Sequence, residues 1–397
     1  MLVAALGLTT LVCAEAAPLV WPFAFNWSDS PLLIDLHQYG GFNDNILNSA
    51  PGVKPTASAF SQTAVGALGR VSIGSQRFFA DARVAATDFL DDKAASRHDR
   101  AFHLGWDWRA GAPCKGSLIA ASSDTQAEAE QASGPGLDTL RLRALEADGR
   151  CALYGAFGLM FAAGAASRRH SAASARALDA DSVYGKLGVD YQGRQGDHAA
   201  IFAKATGLRF PDAAAPDALP GRSSQTDIQA TYRRVFSPLL EAEAMIGASA
   251  ASAASGAPPL GGRPREIGVY KAELAVTPSA LWRIALDASR TLGAPVSIRA
   301  NAQVAETQTV SLAWRPTPKL SLTASLGRLW LESGPTVPGL YGGSTLITLS
   351  GRAVYQFTPF TSFTASLQRA ERSLASGRTE TTVATIGVDF KPFRAEP

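Results

Sequence analysis

Phe236-Ser-Pro-Leu-Leu240, Val276-Thr-Pro-Ser-Ala280, Arg315-Pro-Thr-Pro-Lys319 and Phe357-Thr-Pro-Phe-Thr361 are one punctuation mark written four times. Their prolines, Pro238, Pro278, Pro318 and Pro359, fall 40, 40 and 41 residues apart. Each separates two stretches in which apolar and polar residues alternate. A period of about 40 residues is one tight turn, two strands and one long loop. A chain built of such units, with no helical run, has to close its sheet to remove the edges. Closure with an apolar outer face means a barrel in a membrane.

Working outward from these turns, side-chain parity supports the same reading. In Ala101 to Arg109, Phe102, Leu104, Trp106 and Trp108 share one face, and His103, Gly105, Asp107 and Arg109 share the other. Asp181 to Tyr191 sets Val183, Leu187, Val189 and Tyr191 against Ser182, Tyr184, Lys186 and Asp190. Thr382 to Phe393 sets Ala384, Ile386, Val388 and Phe390 against Thr385, Gly387, Asp389 and Lys391. Earlier short turns fit near Ile73–Gln76, Ala110–Pro113, Asp148–Cys151 and Gln192–Asp197. Longer Ala-, Ser-, Gly- and Pro-rich segments lie between them. Eight turns and nine loops predict an all-β antiparallel barrel of about 18 strands, with 16 as the alternative count. Its short turns face the periplasm and its longer loops face outward.

Bulk composition agrees. The chain has 397 residues, of which 18% are charged, and a net charge of +3. That balance gives no footing for nucleic acid. No apolar run of about 18 residues follows the N-terminus, which excludes a helical membrane protein. Residues 1–17 read as an export signal: Leu2 to Val12 is apolar and Ala14-Glu-Ala16 is a cleavage site. Residues 18–31, with Trp21 and Trp27, form a periplasmic lead-in or a lumenal plug, and the sequence leaves both open. The barrel is expected over residues 32–393 and a short tail over 394–397. Cys114 and Cys151 are expected near turns on one rim, on strands separated by a neighbour, where a disulfide is chemically open but disfavoured by that spacing.

The architecture and several local motifs resemble the outer-membrane β-barrel proteins of exopolysaccharide-synthesis operons (the EpsL type). The resemblance is carried by Gly41-Phe-Asn-Asp-Asn-Ile-Leu47, Trp106-Asp-Trp108, Phe236-Ser-Pro238, Leu326-Gly-Arg328 with Leu329-Trp330, and Gly387-Val-Asp-Phe-Lys-Pro-Phe393. It covers nearly all of the mature chain, though no single motif is specific. It implies a role in secreting or anchoring a polysaccharide, with periplasmic polysaccharide-export proteins as partners, and it brings no catalytic residues.

If the apolar parity faces lipid, the other parity lines the lumen. A basic residue facing lipid at the midplane costs about 2–4 kcal/mol, so the parity is enforced there. This assigns Arg83, Arg109, Arg141, Arg143, Lys186, Lys204, Arg233, Arg283 and Arg352 to the lumen, with Asp107, Asp190 and Tyr184, as residues meeting a hydrated substrate. Arg77, Lys271, Asp81, Asp227, Glu241, Glu243, Glu273, Asp287 and Asp389 join them. Their bland role is to pair across strands and keep the interior wet. Arg83, Arg109, Arg141 and Arg143, read as one basic wall, point more to a ligand or a field. Trp106, Trp108, Trp282, Trp314, Tyr355, Phe357 and Phe390 read as an interfacial girdle. His37, His98, His103, His170 and His198 are dispersed, so neither a catalytic group nor a metal site is expected. Asp91, Asp92, Asp179 and Asp181 read as solvated loop carboxylates, with attraction of calcium or bridging to lipopolysaccharide as the sharper alternative. No cofactor is expected.

The functional expectation is a passive outer-membrane conduit or anchor for exopolysaccharide, contacting the polymer and outer-membrane lipid and lipopolysaccharide. The alternatives are a general diffusion porin for small hydrophilic solutes and a plugged structural barrel.

Overall fold

In a computed structural model the chain is an 18-stranded closed antiparallel barrel. The structure describes residues 32–46, 52–127, 138–173, 176, 179–193, 196–211, 222–253, 265–293, 303–333, 343–374 and 377–394. The export signal, the lead-in with its two tryptophans and the last three residues of the tail lie outside these.

The strands follow chain order. They are β1 (Leu32–Asn43), β2 (Ser58–Ile73), β3 (Gln76–Phe89), β4 (Arg97–Ala110), β5 (Cys114–Ala127) and β6 (Asp138–Tyr154). Next come β7 (Phe157–His170), β8 (Ala180–Gln192), β9 (His198–Arg209), β10 (Arg222–Ser237), β11 (Leu240–Ala253) and β12 (Arg265–Ser279). The last are β13 (Trp282–Gly293), β14 (Gln303–Thr317), β15 (Leu320–Ser333), β16 (Gly343–Thr358), β17 (Thr361–Leu374) and β18 (Gly377–Arg394). Each pairs with its sequence neighbours, and β1 pairs with β18 to close the ring. With every strand paired on both sides, no edge is left to face lipid.

The short turns use two chemistries. In the first half glycines at positive φ make the reversal, with Gly74 at 60° and Gly155 at 57°, a conformation that costs glycine least. In the second half the proline turns take over, and hydroxyls complete them. Ser237 accepts from the Leu239 N–H at 3.1 Å, Ser279 from Leu281 at 3.3 Å and Thr358 from Phe360 at 3.2 Å. Turn carbonyls then join one hairpin to the next: Thr277 N–H donates to Leu239 O, Arg315 to Leu281 and Gln356 to Lys319, at 2.8, 2.8 and 2.7 Å. Ala152 to Pro113 and Gln192 to Ala156 repeat the joint in the first half.

The expected turn at Asp148–Cys151 is displaced. That segment stays in β6, and the reversal comes at Gly155. Gly149 is in the strand because aromatics lie over it: a Cβ there would stand 2.4 Å from Phe161 Cζ and 2.9 Å from Trp108 Cζ2. The two rings pack 6.4 Å apart across Gly149 and Gly116. This shift puts Cys151 directly opposite Cys114 on adjacent strands, with Cα atoms 4.1 Å apart, and the two are disulfide-bonded. The expectation of strands separated by a neighbour is corrected by the same displacement.

Facing directions follow from register, since residues directly opposite share a face. The outer face is predominantly apolar, with many exposed residues such as Leu104, Leu187, Ile246 and Ile386. Trp106 stacks on Phe78, and Trp282 on Trp314 with centroids 5.0 Å apart. Both pairs sit near short turns, where an aromatic girdle belongs. Among the described residues no helix is long and apolar enough to cross a membrane, and the crossing is made by strands.

Candidate functional site: the barrel lumen

The lumen has two unlike walls. From β2 to β12 it is charged and closely paired. Arg83 meets Asp81 at 3.1 Å, with His103 3.5 Å from the same carboxylate. Arg150 meets Asp190 at 2.6 Å, with His198 at 3.4 Å. Arg233 pairs with Glu241, and Lys271 with Glu273 and Glu243. Ser117 donates to Asp148, and Ser249 to Asp227. In a water-lined cavity such pairs keep the interior hydrated while holding each side chain in place.

From β13 to β18 hydroxyls take many of the inward positions. Thr309 and Ser311 on β14, Thr323 and Ser325 on β15, Thr348 and Ser350 on β16, and Ser362, Thr364 and Ser366 on β17 share this face. Ser325 bonds Ser350 at 2.7 Å and Ser366 bonds Thr385 at 2.6 Å. Arg283, Asp287, Arg352 and Arg372 stand among them.

The walls meet at the closing seam in a buried polar cluster. His37 lies between Asp35, at 2.9 Å from Nε2, and Asp389 on its Nδ1 side. Tyr39 donates its hydroxyl to Asp389, and Thr364 donates to the other carboxylate oxygen at 2.7 Å. Small residues make the room: a Cβ on Gly387 would stand 2.1 Å from Tyr39 Cδ1, and one on Gly66 2.0 Å from Asp35 Oδ1.

On β8 and β9, Lys186 is directly opposite Lys204. Each ammonium lies over a ring on the facing strand, Lys186 over Phe202 at 3.8 Å and Lys204 over Tyr184 at 4.8 Å. Gly188 opposite Phe202 and Gly164 opposite Tyr184 leave space for these rings. Two like charges thus face each other, each over a ring, while Asp227 on β10 stands directly opposite Lys204 on its other side.

The outer mouth is narrowed from two sides. The β12–β13 ladder stops at Tyr270 and Arg290, although β12 continues to Arg265 against β11. Beyond that point the end of the β13–β14 hairpin leans inward. Leu292 and Val304, 5% and 0% exposed, pack on Ala251 and Ile267 of the inner wall. Gln225 on β10 donates to Leu292 O at 3.0 Å. Across the lumen, Ile46 and Ala95 fold over Phe60, Phe89 and Val383.

Of the residues assigned to the lumen by parity, Arg83, Arg109, Lys186, Lys204, Arg233, Arg283, Arg352, Asp107, Asp190 and Tyr184 stand on the inward face. Arg141 and Arg143 do not. Arg141 is opposite Asp124 and Arg143 opposite Ser122, on the face that continues through Leu145 and Leu118 to Trp106. Parity fails for them because they lie at the outer end of β6, past the hydrocarbon that enforces it. The basic wall of Arg83, Arg109, Arg141 and Arg143 is therefore not one wall. The seam residues Asp35, His37 and Tyr39 were missed, although their i, i+2, i+4 spacing opposite Ile34, Leu36 and Gln38 carries the signal.

No protein-family model matches the chain, and no curated protein matches it either. Solved structures do. The barrel is similar to OccK2 (OpdF) of Pseudomonas aeruginosa, with TM-score 0.51 and 10% identity, over 91% of this chain and 98% of that one. OccK9 (OpdG) of the same organism gives 0.50 and 11% over 91% and 98%. Pseudomonas aeruginosa OpdK with vanillate gives 0.50 and 10% over 91% and 98%. At such identities the likeness is one of fold: this chain is an 18-stranded barrel of the outer-membrane kind.

Proposed function

We propose that the protein is a passive diffusion channel of the Gram-negative outer membrane for small hydrophilic solutes. The observation that carries this reading is the lumen itself, polar on both walls, with an outer mouth narrowed by the inward-leaning end of β13–β14. A constriction made from the chain's own strand ends sets a size limit without a moving part. The charged wall orients dipoles and ions, while the hydroxyl wall exchanges hydrogen bonds with water at little net cost. No step of such transport calls for catalysis or for a cofactor.

The test is single-channel conductance of the purified protein in a planar bilayer, together with liposome swelling in sugars of increasing size. Steady current and a sharp size limit support a diffusion channel. A sealed bilayer and no swelling reject it in favour of a plugged structural barrel.

The hydroxyl wall keeps a second reading in play, an exopolysaccharide conduit. Rows of serine and threonine suit a sugar polymer, since each contact is weak and exchangeable. Polymer-specific blockades of the open current favour that reading, and current indifferent to the polymer favours the porin.

A further inference from the structure

We infer that the outer face of β4 to β10 carries a binding site for the phosphorylated headgroup of an outer-leaflet glycolipid. The site is a belt of arginines within about one outward step of the same height. Arg100 on β4, Arg141 and Arg143 on β6, Arg169 on β7, Arg209 on β9 and Arg222 on β10 all share the outward face.

Height is what makes the belt meaningful. On β4 the outward row runs Ala110, Trp108, Trp106, Leu104, Phe102 and then Arg100. On β6 it runs from Leu153 through Leu145 to Arg143, and on β9 from Ala199 through Ile201 to Arg209. In each the charge lies ten residues along the strand from the outward residue at the short turn, and Arg141 and Arg169 lie twelve from Leu153 and Phe157. At about 3.3 Å per residue and a tilt of about 40°, ten residues rise roughly 25 Å, the height of the apolar band. The arginines therefore sit where hydrocarbon gives way to headgroups, at the end of the barrel that bears the long loops.

The belt holds more positive charge than its carboxylates neutralise. Asp124 receives both Arg100 and Arg141, the latter with Nε at 2.9 Å. Asp181 pairs with Arg169 at 2.6 Å and is opposite Arg209. Arg143 is opposite two serines, Ser122 and Ser167. Among the described residues six arginines thus face two aspartates in this sector. At the same height on β12 to β18, Arg290, Arg328, Arg369 and Arg378 are interleaved with Glu266, Glu306, Glu332, Glu371 and Glu380. The basic excess belongs to one side of the barrel. Guanidinium groups bind phosphate through paired N–H donors, and one phosphate can bridge two arginines of neighbouring strands.

The experiment uses the full-length barrel in detergent, with bound lipid counted by native mass spectrometry. The probes are diphosphoryl lipid A and the same lipid stripped of phosphate. The wild type is expected to hold the diphosphoryl form about ten-fold better than the stripped form, with retention falling as salt rises. The triple variant Arg141→Gln, Arg143→Gln, Arg169→Gln is expected to lose that preference. The control Arg328→Gln, Arg369→Gln on the far side is expected to keep it. Heat-modifiable gel mobility reports folding; if the triple variant does not fold, Arg143→Gln alone replaces it, with Arg143→Lys as the charge-keeping partner. Equal binding of the two lipids by the wild type, or unchanged preference in the folded belt variant, overturns the inference.

Discussion

The Tyr39 hydroxyl donates to the carboxylate of Asp389, and that bond joins the first strand of the barrel to the last. His37 and Thr364 bind the same carboxylate, so three strands meet on one side chain. Removing the carboxylate takes the acceptor from the buried phenol and leaves the imidazole with Asp35 as its remaining carboxylate. Asp389→Ala is therefore expected to destabilise the barrel by roughly 3–5 kcal/mol, read as a lower urea midpoint for loss of the heat-modifiable form. Thr364→Ala is expected to cost about 1 kcal/mol. A wild-type midpoint for Asp389→Ala would show that the seam is held by backbone pairing alone.

The Cys114–Cys151 bond closes a loop with a sequence separation of 37 on two already paired strands. Chain-entropy arithmetic for such a loop gives roughly 4 kcal/mol. Folded protein is expected to show no reactive thiol at these two positions before reduction, and reduced protein is expected to unfold at a lower urea concentration. Full thiol reactivity in the unreduced, folded protein would contradict the pairing.

Lys186 and Lys204 face each other in the lumen with a ring beneath each, and Asp227 flanks Lys204. Replacing both with glutamine is expected to shift ion selectivity toward cations by roughly two-fold in the permeability ratio. The measurement is the reversal potential in a salt gradient. An unchanged potential would mean that permeating ions do not approach β8 and β9.

Leu292 and Val304 hold the inward lean of the β13–β14 end by burying their side chains on β11 and β12. Leu292→Asn with Val304→Asn is expected to release it, since unpaired amides placed there cost about 1–3 kcal/mol each. Single-channel conductance is expected to rise while the urea midpoint of the barrel stays close to wild type. Conductance equal to wild type would place the narrowest section elsewhere.

The sequence made the architecture legible wherever a strong physical constraint acted. Lipid enforces alternation across the hydrocarbon, so the lumenal positions of Arg83, Lys186 and Arg352 could be read from parity. Proline cannot continue a ladder hydrogen bond, so the four late turns could be placed. Legibility ended where those constraints end. Arg141 and Arg143 lie above the hydrocarbon, where charge can face outward freely. Asp148-Gly149 imitates a turn, yet Gly149 is there to seat Phe161, a reason that exists only once β7 lies beside β6. The seam cluster draws residues from opposite ends of the chain, and nothing local announces that they meet.

The repeated joint at the short-turn rim sets a rule for how such a chain can change length. A turn carbonyl of one hairpin accepts from the first strand of the next, and the same bond recurs at Leu239, Leu281 and Lys319. Because a unit with this joint carries both halves of it, duplicating that hairpin brings its own donor and its own acceptor. A descendant with one more unit is a barrel two strands wider with all its joints intact, and one with half a unit more has a strand running the wrong way at the closure. The barrel can grow or shrink in whole hairpins, and its circumference is quantised by the same bond that holds its rim.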